Sequence, residues 1–117
     1  MRLLFAGRDD EVIALLDTGF NGALLMAEAD VADLGVRVSP LASHAKMGDG
    51  RVVELRRAQC TVYWLGELRR TEVLVSSEPD QHRGPDEPVV VIGTQLLAPN
   101  MLLIDFSAGS VEIETQD

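Results

Sequence analysis

Residues 14–25 read ALLDTGFNGALL. Ala14, Leu15 and Leu16 form an apolar run of the kind that enters a core, and Leu24 and Leu25 resume it. Between the runs stands Asp17, a residue type almost never fully buried without a partner. Thr18, Gly19, Asn21 and Gly22 supply the small and hydrogen-bonding side chains of a tight turn. An apolar strand thus delivers a lone carboxylate into a turn, and the physical question is what pairs with it.

The surrounding chain limits the answers. Its 117 residues suit one domain, 1–117, large enough to bury a core without staples. Apolar residues make up 46% and aromatics only 4%, so that core is mostly Val, Leu and Ile. Nineteen acids against 10 bases give a net charge of −9. Such a surface argues against nucleic acid, whose binding needs cations to replace counterions, and against anionic membranes. Cys60 is the single cysteine, which rules out an intrachain disulfide and fits a reducing compartment. Its place in an alternating strand makes it a core residue. The apolar run Leu3–Ala6 is too short for a signal peptide, and no segment is long enough to span a bilayer, so a cytoplasmic location is expected.

Outward from the Asp17 turn, short elements follow one another. Leu3–Ala6 and Glu11–Leu16 read as a hairpin around Gly7–Asp10. Ala23–Met26 is extended, and Ala27–Leu34 is a helix with Ala27, Val31 and Leu34 on one face. Glu28 and Asp30 favour its start, and Gly35 supplies a left-handed cap. Asp49-Gly50 signals a hairpin turn between two extended arms. Val53 and Leu55 share one parity, while Ala58, Cys60, Val62 and Trp64 share the other. A change of parity predicts a bulge near Arg56-Arg57. Leu65-Gly66-Glu67 turns the chain into a strand over Leu68–Val75. Residues 76–88, polar and rich in Pro and Asp, read as a surface loop. Val89–Ile92, continuous and β-branched, predicts a strand buried on both faces. Thr94 is placed to cap a short helix, Gln95–Ala98. Met101–Phe106 and a half-exposed strand around Val111 and Ile113 close the chain, with a turn at Ser107–Ser110.

Most catalytic sets are missing. His44 falls in a hairpin arm and His82 in the polar loop, neither beside a nucleophile. No Cys/His spacing suits zinc, and GDG at 48–50 lacks the alternating acids of a calcium loop. No phosphate-cradling glycine loop and no nucleophile-elbow serine occurs. Neither a metal nor a cofactor is expected. Asp17-Thr18-Gly19 remains, with an apolar strand leading in and, far downstream, a second strand ending in Ile92-Gly93 ahead of a short helix. By itself the triplet also suits a plain Asx-turn at a strand end.

In this context the sequence resembles the retropepsin-like, single-lobed aspartic proteases of clan AA. The resemblance covers nearly the whole chain. It rests on ALLDTG at 14–19, on AKMGDGRVV at 45–53 in the place of a flap, and on VVVIGTQLLAPNMLLIDF at 89–106 in the place of the apolar-apolar-Gly segment, its short helix and its return strand. Bacterial and ubiquitin-receptor-type members look closer than viral ones, because strands continue past the helix through IDF to SVEIE.

The resemblance implies an all-β, closed-barrel acid-protease fold with one or two short helices. It implies that Asp17 is the catalytic aspartate, that Thr18 buttresses the loop across a dimer, and that Gly19 lets the backbone come close. Ile92-Gly93 would cross under the loop, and Met47, Gly48, Asp49 and Gly50 would cover an extended peptide or protein substrate. Ile92 and Gly93 join this substrate-binding set. A carboxylate dyad needs two aspartates, and the chain has one Asp-Thr-Gly; Asp105 lacks the Thr-Gly loop and reads as a strand-end structural acid. The partner of Asp17 is therefore expected from a second copy, making the chain a homodimeric endopeptidase. Three departures stand out, one being a flap tip with only Gly48 and Gly50 around an acidic Asp49, which reads as short or stiff. Phe20 follows the triplet where members usually have Ala or Ser, and it cannot hydrogen-bond a carboxylate. No counterpart of the viral N-terminal dimer strand precedes Asp17, which leaves the strand Val111–Glu114 for dimer contact or makes dimerisation weak. The alternatives are a non-catalytic module of the same fold that binds extended peptides, and a β-rich subunit of a larger assembly.

Overall fold

Alternating apolar residues build this molecule almost entirely from strands. The computed structural model describes residues 1–46, 49–77 and 87–115. In chain order these form β1 (Arg2–Phe5), β2 (Val12–Leu16), β3 (Leu24–Ala27), α1 (Glu28–Leu34), β4 (Val38–Lys46), β5 (Val52–Trp64), β6 (Glu67–Ser76), β7 (Val90–Ile92), α2 (Thr94–Leu97), β8 (Met101–Asp105) and β9 (Ser110–Glu114). No helix among the described residues is long and apolar enough to cross a membrane.

The strands are ordered β1-β2-β7-β3-β6-β5-β4, and a further pairing of β1 with β5 closes the first six into a barrel. Closure removes the two sheet edges that an open arrangement would leave unpaired. The barrel interior holds Leu3, Phe5, Leu24, Met26, Val62, Val73, Val75, Val90 and Ile92, all buried. This mostly aliphatic filling, with Phe5 as an exception, is what the low aromatic content implies. Val31 of α1 is fully buried against it, and Gly35 ends that helix in the left-handed region at φ 70°. Leu65 and Gly66, both at positive φ, make the two-residue turn between β5 and β6, where Trp64 pairs with Glu67. Arg69 of β6 reaches across to α2 and donates to the carbonyls of Leu96 and Gln95 at 3.3 and 3.4 Å. β8 and β9 form a separate two-stranded hairpin. At its turn Asp105 accepts the N–H groups of Ser107 and Ala108, so this acid is structural.

Two sequence expectations need correction. β5 has no bulge at Arg56-Arg57: its pairing with β6 runs in unbroken register from Leu55 to Trp64. The irregularity lies in β4, between Val38 and Ala42, where Pro40 cannot donate to a ladder. The parity change in β5 has another cause. Ala58, Cys60, Val62 and Trp64 face the barrel core, whereas Val53 and Leu55 face an external groove. Likewise, β7 is not buried on both faces. Val90 and Ile92 are buried, but Val91 is half-buried and lines the same groove.

Cys60 lies inside the core, and burial pushes its thiol up to about 11. Since the thiolate is the reactive form, the native protein at pH 8 should resist a disulfide-exchange reagent, while the urea-unfolded chain labels at once. Rapid labelling of the native protein would contradict this placement.

Candidate active site

Asp17 is the first residue beyond β2, and its position is set by backbone bonds. Its N–H donates to the carbonyl of Ile92 at 2.9 Å, and its carbonyl accepts the N–H of Phe20 at 3.1 Å. The carboxylate Oδ1 accepts the N–H of Gly19 at 2.9 Å. That is an Asx-turn, and it also aims the carboxylate. The turn engages one carboxylate oxygen and leaves the side chain exposed, a geometry compatible with both readings of the triplet. Asp17, Thr18 and Gly19 are all solvent-exposed.

Below this loop runs the end of β7. Leu16 pairs with Ile92 in parallel, and Leu24 pairs with Ile92 on the opposite side in antiparallel fashion. Beyond the strand, Gly93 N–H donates to Ala23 at 2.9 Å, Thr94 N–H to Phe20 at 2.9 Å, and Gln95 N–H to Gly22 at 3.1 Å. The crossing is so close that a Cβ on Gly93 would stand 2.3 Å from the Gly22 carbonyl oxygen and 2.5 Å from that of Phe20. Glycine is required there for closeness of approach. The expected capping role of Thr94 is not realised. Gly93 is the N-cap and α2 has no side-chain cap, because the Thr94 hydroxyl donates to the Phe20 carbonyl at 3.3 Å. Ile92 acts on the loop through its carbonyl, its side chain being fully buried in the core.

Beside the loop lies a groove of about 660 Å³. Its walls are Leu25 of β3, Leu74 and Ser76 of β6, Val91 of β7, and Ala45, Val53 and Leu55 of the β4–β5 hairpin; Phe20, Asn21 and Gly22 bring it to the Asp17 loop. The pairing explains the shared surface. Leu15, Val91, Leu25, Leu74 and Arg57 stand opposite one another in register, and side chains of paired residues project to one face. Arg51 and Glu87 add one charge of each sign, and Asn21 and Ser76 two polar side chains, to a mostly apolar lining. Leu25, Val53, Leu55, Leu74 and Val91 were not singled out as site residues by sequence reasoning. Their signal was the parity change at Leu55–Ala58, which marks where β5 leaves the barrel to form the arm over the groove.

At the hairpin tip, Met47 and Gly48 lie outside the described residues, as does His82. Asp49 and Gly50 are exposed, with Gly50 at φ 89°. The Asp49 carboxylate accepts the Arg51 backbone N–H at 3.0 Å and pairs with the Arg51 guanidinium. His44 is exposed on β4, opposite Glu54.

Comparison with solved structures follows the same outline. The structure of EIAV protease complexed with the inhibitor HBY-793 matches with a TM-score of 0.61 over 83% of this chain and 82% of that chain, at 23% sequence identity. The fold is retropepsin-like. No family profile matches the sequence, and no curated protein does. In this retropepsin-like fold β7, Phe20 to Gly22 of the Asp17 loop and the β4–β5 hairpin meet at the groove.

Two expected outcomes test this geometry. Gly93→Ala should lose about 3 kcal/mol of stability, the upper part of the overpacking range, because two of the clashing atoms are backbone oxygens; a melt matching the wild type would mean the loop widens freely. The Asp49 carboxyl is held below its ordinary value of 3.8, first by the Arg51 N–H and then by its side chain. Lowered in the folded state, it contributes order that is fully present above pH 3.8 and lost as pH falls through the lower folded value. The Arg51 amide resonance should titrate with a midpoint below 3.8, and a midpoint at or above that value would contradict the contact.

Proposed function

We propose that the chain is one half of a homodimeric aspartic endopeptidase. The observation that carries this reading is the exposed Asp17 carboxylate, aimed by the Gly19 N–H and held over the Ile92-Gly93 crossing, in a loop whose Phe20, Asn21 and Gly22 line an apolar groove of a retropepsin-like fold. One carboxylate cannot serve as base and acid at the same moment. Two carboxyl groups held together share one proton, since both cannot ionise side by side. The ionised member takes a proton from water as its oxygen attacks the peptide carbonyl carbon, while the protonated member donates to the carbonyl oxygen. The tetrahedral intermediate then collapses as a proton reaches the amide nitrogen and the C–N bond breaks. Each chain would bring one Asp17, with Thr18 of each loop buttressing the other across a twofold axis.

The β8–β9 hairpin supports the association. Leu102 and Ile113 pair on the face that packs against the core, and Ile104 and Val111 continue that apolar stripe while about half exposed. Val111 and Ile113 also line a crevice with Met1, Leu15 and Leu16, next to Asp17 in the chain. An extended substrate would lie in the groove beneath the β4–β5 hairpin and add backbone hydrogen bonds in the manner of an extra strand.

Asp17→Asn should fold, melt at or above the wild-type temperature, and lose peptide cleavage by about 10²–10⁴-fold or more, the range of general acid–base catalysis. A pooled-peptide digest read by mass spectrometry measures it. Equal cutting by the variant would assign the activity elsewhere. Sedimentation should show a dimer at rising concentration or with a statine-like peptide, and a strict monomer under both conditions would overturn the shared site.

A further inference from the structure

Phe20 is neither a core residue nor a free surface residue. It is half-buried and lines the groove directly after the Asp17 triplet. Its ring rests on two glycines: a Cβ on Gly22 would stand 2.5 Å from Cζ, and one on Gly93 would stand 2.5 Å from Cδ2. The absence of both side chains makes the space in which the ring lies. The backbone below it is fixed as well. Phe20 N–H donates to Asp17, and its carbonyl accepts both the N–H and the hydroxyl of Thr94. A ring backed by main chain and carried on a pinned residue cannot retreat when a ligand enters.

We propose that Phe20 is the specificity-determining wall of this groove, admitting branched aliphatic side chains of the substrate next to Asp17 and rejecting aromatic ones. The inference rests on the proteolytic reading above and names the substrate class: apolar peptides with Val, Leu or Ile beside the cut bond. The remaining lining agrees, since Leu25, Val53, Leu55, Leu74 and Val91 form an aliphatic surface that matches branched aliphatic side chains beside the Phe20 ring.

The test compares kcat/KM for paired peptides that differ only in carrying Leu or Phe beside the cut bond. The ratio is independent of the fraction of active enzyme, so a loss of folded protein does not move it. Wild type should favour Leu. Phe20→Ala should shift the ratio toward Phe by about 10-fold or more, the scale on which apolar pockets discriminate size. Phe20→Leu, which keeps more of the fold's packing, should shift it in the same direction by less. Gly22→Ala provides an approach that leaves Phe20 itself in place. Its new Cβ must push the ring, so it should move the ratio and lower the melting temperature. Adding Phe20→Ala to Gly22→Ala should recover part of that melting loss, because the colliding ring is gone. If wild type cuts and the ratio is unchanged in Phe20→Ala and Phe20→Leu, the wall assignment falls and the protease reading stands. If neither wild type nor Asp17→Asn cuts any peptide, both fall together.

Discussion

The tight crossing of Ile92-Gly93 beneath the Asp17 loop is the contact on which the rest of the site depends. A loop carrying an exposed carboxylate has little apolar surface with which to hold itself. Here it is held by the polar groups of the main chain. Ile92 accepts from Asp17, Phe20 accepts from Thr94, and Gly22 accepts from Gln95. These bonds are possible only because the two segments come within a distance that excludes a Cβ at Gly93. The carboxylate is thereby fixed in direction as well as in place, because the turn that forms above the crossing brings the Gly19 N–H to Oδ1. For the proposed reaction, preorganisation of this kind would lower the cost of positioning the carboxylate.

The groove depends on a different constraint, the continuity of β5. One unbroken strand covers the barrel core with Ala58, Cys60, Val62 and Trp64, then runs out past the barrel with Val53 and Leu55 directed to the groove. The strand serves two surfaces because its successive side chains point to opposite sides and each half of it is covered on a different side. The same division appears in β7, where Val90 and Ile92 stabilise the core and Val91 lines the groove. Core stability and the shape of the candidate site therefore share a backbone while drawing on separate side chains. Changes such as those at Phe20 can reshape the groove without removing a barrel residue.

The lone carboxylate and the apolar hairpin β8–β9 are complementary features of the proposed assembly. In that proposal a chain with one Asp-Thr-Gly obtains its second carboxyl group from another copy, and association needs apolar surface that the monomer leaves uncovered. Ile104 and Val111 carry such surface beyond the point where Leu102 and Ile113 meet the barrel. Glu112 and Glu114 stand on the other face of the same hairpin, opposite Leu103 and Met101. The alternation separates the Glu112 and Glu114 face from the apolar stripe of Leu102, Ile104, Val111 and Ile113.

Much of this molecule was written in local pattern. Alternation over residues 58–64, the Leu65-Gly66 turn, the Gly35 cap and the structural role of Asp105 all follow from steric and hydrogen-bonding preferences that act within a few residues. The Asp17 triplet and the Ile92-Gly93 segment were recognisable for the same reason, since each needs particular small residues at fixed spacing. Three matters were settled only by tertiary structure. The parity change in β5 comes from which side of the strand is covered, a fact that depends on β3, β6 and β7 and is invisible in β5 itself. The Thr94 hydroxyl turns from its helix to Phe20 because a carbonyl from a distant segment arrives within reach. Phe20 becomes part of the groove because Gly22 and Gly93, 71 positions apart in the chain, leave a common space for its ring. Sequence by itself determined which residues could form strands, turns and a carboxylate loop, since those choices are local energies. Tertiary structure decided which faces met, because burial and close approach are properties of pairs of segments and not of either one.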